Sequence, residues 1–270
     1  MINGLSFDVE DWFQVENLRE ACPVEKWDTY ELRVEKSVTR ILELLSQYNT
    51  KATFFILGWI AERLPHLVKE IAVLGHEVAS HGYNHEIVCY LSKEEFESDL
   101  LKSKSILENI INQPVIGYRA PNFSITNESL WAIDILARHG FRYDSSIFPV
   151  SFHDRYGFRA KVDGPFTFNN GLKELPLTTY SLGKMNIPIA GGGYFRLMPY
   201  SIFRWFLKRV NKSGRHFIFY LHPWEIDEGQ PRLNIKYNFR IRHYLNLDKT
   251  YGRLEKLLAE FRFNALNTLI

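Results

Sequence analysis

Short apolar runs alternate along this chain with longer stretches whose apolar positions recur every three or four residues. The segment "INGLSF" (2–7) predicts a strand, and "EKSVTRILELLSQYN" (35–49) a helix with Val38, Ile41, Leu42, Leu45 and Tyr48 on one face. The beat then repeats. A strand is predicted at 52–57 and a short helix from Leu64 to Leu74, stopped by Gly75. A third strand follows at 76–80, then a helix over 92–111 that Ser92 and Glu95 open as a capping box. "VIGYRAP" (115–121) is a fourth strand, Glu128 to Arg138 a helix, "FRYDSS" (141–146) a fifth strand and "KELPL" (173–177) a sixth. Residues 199–212 form a helix and "HFIFYL" (216–221) a seventh strand.

Strands that alternate with helices pair in parallel, so the expected fold class is α/β, a single distorted (β/α)7 barrel. Chemistry in such a barrel gathers at the C-terminal ends of the strands. Polar residues fall at those positions: Asp8, Glu10 and Asp11 after the first strand, His81 and His85 after the third, Arg119 after the fourth, Asp144 after the fifth and His222 after the seventh. Residues 12–34 and 145–172 break the pattern and read as rims, lids or insertions. No repeat, low-complexity tract or linker divides the chain, so 1–270 reads as one domain.

Composition narrows the function classes. The net charge of +2 and the absence of a long basic run give no footprint for nucleic acid. No apolar run reaches the roughly 20 residues of a membrane span, and the first residues lack the pattern of a signal peptide, so the expected location is the cytoplasm. Cys22 and Cys89 form neither a C-x-x-C nor a disulfide framework. Aromatic residues make up 15% of the chain, enough for a core and for platforms that stack on sugar rings.

In "VASHGYNHE" (78–86), His81 and His85 stand four apart, the spacing that puts two imidazoles on one side of a helical turn. Alone, the pair also fits two surface histidines. "SFDVED" (6–11) packs three carboxylates into four residues, which suits either an acidic turn or helix cap, or a buried cluster around a cation. Two imidazoles and one carboxylate with an open position suit catalytic zinc, and also iron, cobalt or nickel. "GGG" (191–193) lacks a phosphate-loop pattern and reads as a tight turn.

"SFDVED", "HGYNH", "YRAPNF", "YDSS" and "LHPWE" occur in the order and spacing of the five motifs of the polysaccharide deacetylases, and the chain resembles that metal-dependent family over residues 6–225. It looks closest to the deacetylases of bacterial exopolysaccharide loci, through "DVEDWF", "GGGYFR" and "NLDKTYGRLEKLLAEFRF", with a family-specific extension from about residue 226. The resemblance implies that Asp8 is the general base, paired with Arg119, and that His222 is the general acid, oriented by Asp144. It also implies that His81, His85 and a carboxylate, Glu10 or Asp11, hold a divalent metal, zinc first, with nickel or cobalt as alternatives. A backbone N–H near Pro121 to Phe123 would meet the oxyanion, and Pro223 and Trp224 would wall an acetyl pocket. The expected activity is hydrolysis of the acetamido group of an N-acetylated sugar in a polysaccharide or its precursor. The alternatives are a C–N hydrolase on a small cyclic amide and a catalytically silent carbohydrate-binding protein.

Overall fold

Strand β1 (Ile2–Val9) organises the fold: past its first residue it is buried along its whole length. Leu5, Phe7 and Val9 point outward into the main apolar layer, so Gly4, Ser6 and Asp8 face the opposite side. The computed structural model describes residues 1–150, 162, 164–183 and 185–270. The strands after β1 are β2 (Thr53–Ile56), β3 (Glu77–Ser80), β4 (Gly117–Tyr118), β5 (Tyr143–Asp144), β6 (Phe166–Thr167), β7 (Lys173–Glu174), β8 (Thr179–Leu182), β9 (Met185–Pro188), β10 (Ile218–Leu221) and β11 (Arg262–Asn264). The helices are α1 (Val34–Gln47), α2 (Gly58–Arg63), α3 (Pro65–Val73), α4 (Lys93–Ile111), α5 (Trp131–Arg138), α6 (Gly192–Leu197), α7 (Tyr200–Lys212), α8 (Tyr237–Tyr244) and α9 (Leu247–Glu260).

The seven expected strands lie side by side in the order β10-β1-β2-β3-β4-β5-β7, all parallel. β6 adds an antiparallel edge beside β7, and β11 pairs with the start of β1. β7 and β10 do not pair. The gap is crossed instead by Thr178, whose Oγ1 accepts from Ile218 N at 2.7 Å, and by the 190–191 segment, whose Ala190 carbonyl accepts from Tyr220 N at 3.1 Å. The barrel is therefore distorted on that side. Its interior is a separate apolar cluster containing Phe55, Ala79, Tyr143, Leu175, Leu177, Ile218 and Tyr220, and Leu266 from the C-terminal segment belongs to it.

α1, α3, α4, α5 and α7 form where the apolar period predicts helices; α2, α6, α8 and α9 were not among the predicted ones. Ser92 and Glu95 make the expected reciprocal cap on α4. Residues 12–34 are more ordered than a rim: three short 3-10 helices bury Phe13 and Trp27, and both rings pack edge-on or tilted against Trp59 of α2. In the other irregular stretch, residues 145–150 are buried and 166–167 form β6, while the middle of the expected lid (151–161 and 163) lies outside the described residues. Among the described residues no helix is long and apolar enough to cross a membrane.

Candidate active site

Strand alternation selects which carboxylates of "SFDVED" face the barrel mouth. Ser6, Asp8 and Glu10 follow one another at a spacing of two on the inward side, and Asp8 and Glu10 are almost fully buried. Asp11 turns away. Its Oδ1 accepts from Trp12 N at 2.8 Å, and its Oδ2 accepts from Arg33 N and Val34 N at 2.7 and 2.9 Å, so it caps a 3-10 turn and the start of α1 together. Burial pushes its carboxyl up to about 6 even against those donors. The structure therefore does not bring Asp11 to the histidines; Glu10 is the carboxylate that meets them.

The Oε2 of Glu10 lies 2.9 Å from His85 Nε2, and its Oε1 lies 3.1 Å from His222 Nε2 and 3.4 Å from the indole N–H of Trp224. Burial alone would raise Glu10, but His85, His222 and His81 outweigh it and hold the carboxyl at about 2. His81 donates from Nδ1 to the Arg119 carbonyl at 2.8 Å, which leaves Nε2 as its free nitrogen. Burial lowers its pKa to about 4, so the ring is neutral and its lone pair available. His85 sits at a positive φ of 57°, an uncommon backbone state for a non-glycine residue and one that clusters at functional sites.

Arg119 is fully buried and every nitrogen of its guanidinium is engaged. Nη1 donates to Asp8 Oδ1 at 2.6 Å and to Ser6 Oγ at 2.8 Å, while Nε and Nη2 bind the carbonyl and hydroxyl of Ser145. The plane lies over the Phe55 ring, 4.1 Å from its centroid. The Asp8 side chain is thus held in one orientation against the guanidinium.

On the other wall stands His222, with Nε2 4.0 Å from Asp8 Oδ2. Its Nδ1 bonds Glu225 Oε1 at 2.7 Å, and Glu225 is held from behind by Arg196 Nε at 2.6 Å. Burial opposes the charge on His222, but Glu10, Glu225 and Asp8 override it and raise the ring to about 9. Burial likewise opposes the charge on Glu225, which Arg196 and His222 hold at about 2. The carboxylate that the structure puts on His222 is therefore Glu225, and Asp144 is not brought to that ring. Asp144 Oδ1 accepts from Ser146 Oγ at 2.5 Å, and burial, with Asp144 alongside, pushes the Glu174 carboxyl well above the usual carboxylate range. Ser146 Oγ accepts from Ala120 N at 2.7 Å, so this carboxyl pair braces the Arg119 loop from behind.

"GGGYFR" contributes through approach and charge. A Cβ on Gly191 would run into the Tyr220 ring, and one on Gly192 into the Glu225 carboxylate, so only glycine lets α6 deliver Arg196 to its partner. Arg196 also donates to the carbonyls of Arg242, His243 and Leu245, tying α8 to the same wall. Neither Arg196 nor Glu225 was singled out from sequence, although Glu225 stands three residues after His222 at the end of "LHPWE".

These groups share one cavity of about 440 Å³, lined among others by Asp8, Glu10, His81, His85, His222 and Trp224, with Phe123, Tyr194 and Leu197 as apolar walls. Asp11, Asp144 and Arg119 do not line it. The donor set suits a divalent ion: two histidines and one carboxylate line the cavity, and His85 Nδ1 is a buried polar atom without a hydrogen bond among the described residues. Among the described residues no three such side chains already stand in coordinating geometry, so the fit rests on chemistry and burial.

Two family models match the chain in succession: polysaccharide deacetylase over residues 26–143, and a domain of unknown function (DUF3473) over 145–270. Residues 26–143 thus form a polysaccharide deacetylase domain, followed by the DUF3473 match. Within the deacetylase match lie His81, His85 and Arg119; Asp8 and Glu10 precede it, and His222, Glu225 and Arg196 fall in the second match. A peptidoglycan deacetylase of Helicobacter pylori is 36% identical over 125 residues, covering 45% of this chain and 41% of that protein. The chain spans about two fifths of the length of the curated deacetylases it matches first. Among solved structures, one named as a polysaccharide deacetylase from Mycobacterium smegmatis superposes with a TM-score of 0.64 at 20% identity, covering 99% of this chain and 89% of that one. An allantoinase superposes at 0.58 and 13%, covering 97% and 87%. At such identities the likeness shows the fold, a (β/α)7 barrel.

Proposed function

We propose that the protein is a metal-dependent de-N-acetylase that hydrolyses the acetamido group of an N-acetylated sugar in a bacterial polysaccharide or its precursor. One observation carries the reading: a carboxylate fixed on Arg119, Asp8, and an imidazole held by Glu225, His222, line one cavity together with His81, His85 and Glu10. Asp8 takes a proton from the attacking water, and His222 gives one to the departing amine as the C–N bond breaks, leaving acetate and a free amino sugar. His81, His85 and Glu10 would hold a divalent ion, zinc first, which when bound lowers the pKa of water and polarises a carbonyl. Phe123 and Tyr194 line the cavity as aromatic walls for a sugar ring, while Trp224 is stacked on His222 and His243.

The deacetylases among the relatives favour an acetylated saccharide; the allantoinase shares only the fold, and fold does not fix substrate. Acetate release from chitooligosaccharides and peptidoglycan fragments, run beside hydrolysis of a small cyclic amide, tests the reading. Acetate from either saccharide supports it. Turnover of the cyclic amide alone would replace it, and saccharide binding without turnover by metal-loaded protein would make the chain a binding protein.

A further inference from the structure

We infer that Asn122 is a catalytic residue of this reaction, its side-chain Nδ2–H donating to the acyl oxygen of the substrate, the atom on which negative charge develops. The inference rests on the de-N-acetylase reading and goes beyond it by adding a residue to the machinery.

Asn122 lines the same cavity as Asp8, Glu10, His81 and His85. Its Nδ2 is buried and has no hydrogen-bond partner among the described residues. A buried donor left unpaired costs about 1–3 kcal/mol, so folded proteins seldom keep one without a use. The backbone around it is also held in a costly state. Asn122 has φ 53° and ψ 23°, and Phe123 follows at φ 53°, two successive non-glycine residues in the left-handed region. The turn is nonetheless firmly anchored: Ala120 N donates to Ser146 Oγ at 2.7 Å, Phe123 N to the Ala120 carbonyl at 3.0 Å, and Ser124 N to the Pro121 carbonyl at 3.2 Å. An orphaned donor on a strained, braced turn that opens on the reacting groups is the arrangement that stabilises charge without reorganising.

Burial favours the acyl oxygen over a sugar hydroxyl: Glu16, Asn17 and Arg242, which line the same cavity, are half-buried or exposed, whereas the Nδ2 atom of the half-buried Asn122 is covered. A carboxamide also suits the task chemically. It carries no titratable proton, so it stabilises developing charge without competing with Asp8 or His222 for the transferred one.

Asn122→Asp keeps the size of the side chain and its tolerance of a left-handed backbone but removes the donor; Asn122→Gly keeps the turn and removes the side chain. With fully N-acetylated chitotetraose as substrate, both variants should lose about 10²–10³ in kcat, the usual worth of one such donor, with KM changed less than about threefold. Metal content and melting temperature should stay near the wild type. A kcat within about threefold of wild type in either folded variant would make Asn122 a turn residue only. A rise in KM at unchanged kcat would make it a sugar contact and overturn the assignment. A wild-type protein that releases no acetate from chitotetraose or peptidoglycan fragments would sink the de-N-acetylase reading and this inference with it, whereas an active wild type with indifferent variants sinks the inference alone.

Discussion

Glu10 and Asp11 are adjacent carboxylates with opposite tasks, and replacing each by alanine separates metal binding from stability. Asp11→Ala removes the acceptor of three backbone N–H groups, on Trp12, Arg33 and Val34. A lost helix cap costs about 0.5–2 kcal/mol, and a buried N–H left without a partner about 1–3 kcal/mol. Water can reach the half-buried Arg33 more easily than the buried Trp12 and Val34, so the whole change should cost about 3 kcal/mol. For a chain of 270 residues that corresponds to a melting temperature about 5 °C lower. Zinc affinity should stay within about threefold, because neither Asp11 oxygen faces the cavity and a change outside the ligand set has no route to the metal. Glu10→Ala removes the carboxylate in contact with His85 and should weaken zinc binding by at least about 100-fold. Urea melts of the metal-free proteins and zinc titrations against a competing chelator measure both quantities on the same samples. An Asp11→Ala protein as stable as wild type but short of zinc would refute the division of labour.

Glu225→Gln should cut kcat on an acetamido sugar by about 10²-fold with KM little changed, because it removes the charge that holds His222 protonated and oriented; Asp144→Asn should leave the pH profile of kcat in place while lowering the melting temperature. His222→Ala should lose about 10²–10⁴ in kcat on the amide but much less on an activated ester, whose leaving group needs no proton, and equal losses on both would remove His222 as the acid. Asp8→Asn should keep its metal and lose most turnover, which metal analysis and acetate release on one preparation would check. His76 gives a pH dependence away from the site. Burial, with Lys51 nearby, lowers it from 6.5 to about 4, and its Nδ1 accepts from Ala52 N. The folded state resists the proton, so this stability is complete above pH 6.5 and is lost as pH falls toward 4, by at most about 3 kcal/mol. His76→Gln should flatten that part of the urea-midpoint curve, and an unchanged slope would count against it.

Strands β1, β2, β3 and β10 were legible because they are buried on both faces along nearly their whole length and read as apolar runs, and the parallel order follows from strands alternating with helices. Less visible were α2, α6 and the β8–β9 hairpin, which are short and owe their shape to neighbours: α6 exists where glycines let it approach Tyr220 and Glu225. In the site, Asp8, Arg119, His81, His85 and His222 were all readable from residue type and position at strand ends. The choice between Glu10 and Asp11 was readable too, since positions 8 and 10 share a face of an extended strand and 11 does not. The partner of His222 was not. The family resemblance pointed across the barrel to Asp144, but no spacing records a distance between strands, and the carboxylate on the ring is Glu225, brought there by the turn after β10.

Titration of metal-free protein with zinc, following acetate release from an N-acetylated chitooligosaccharide at each addition, tests the central claim most directly. The account predicts negligible turnover at the start, a linear rise that saturates at one equivalent, and neither binding nor turnover in His81→Ala or His85→Ala. Full acetate release from protein shown to be metal-free, or stoichiometric zinc retained by either histidine variant, would contradict it.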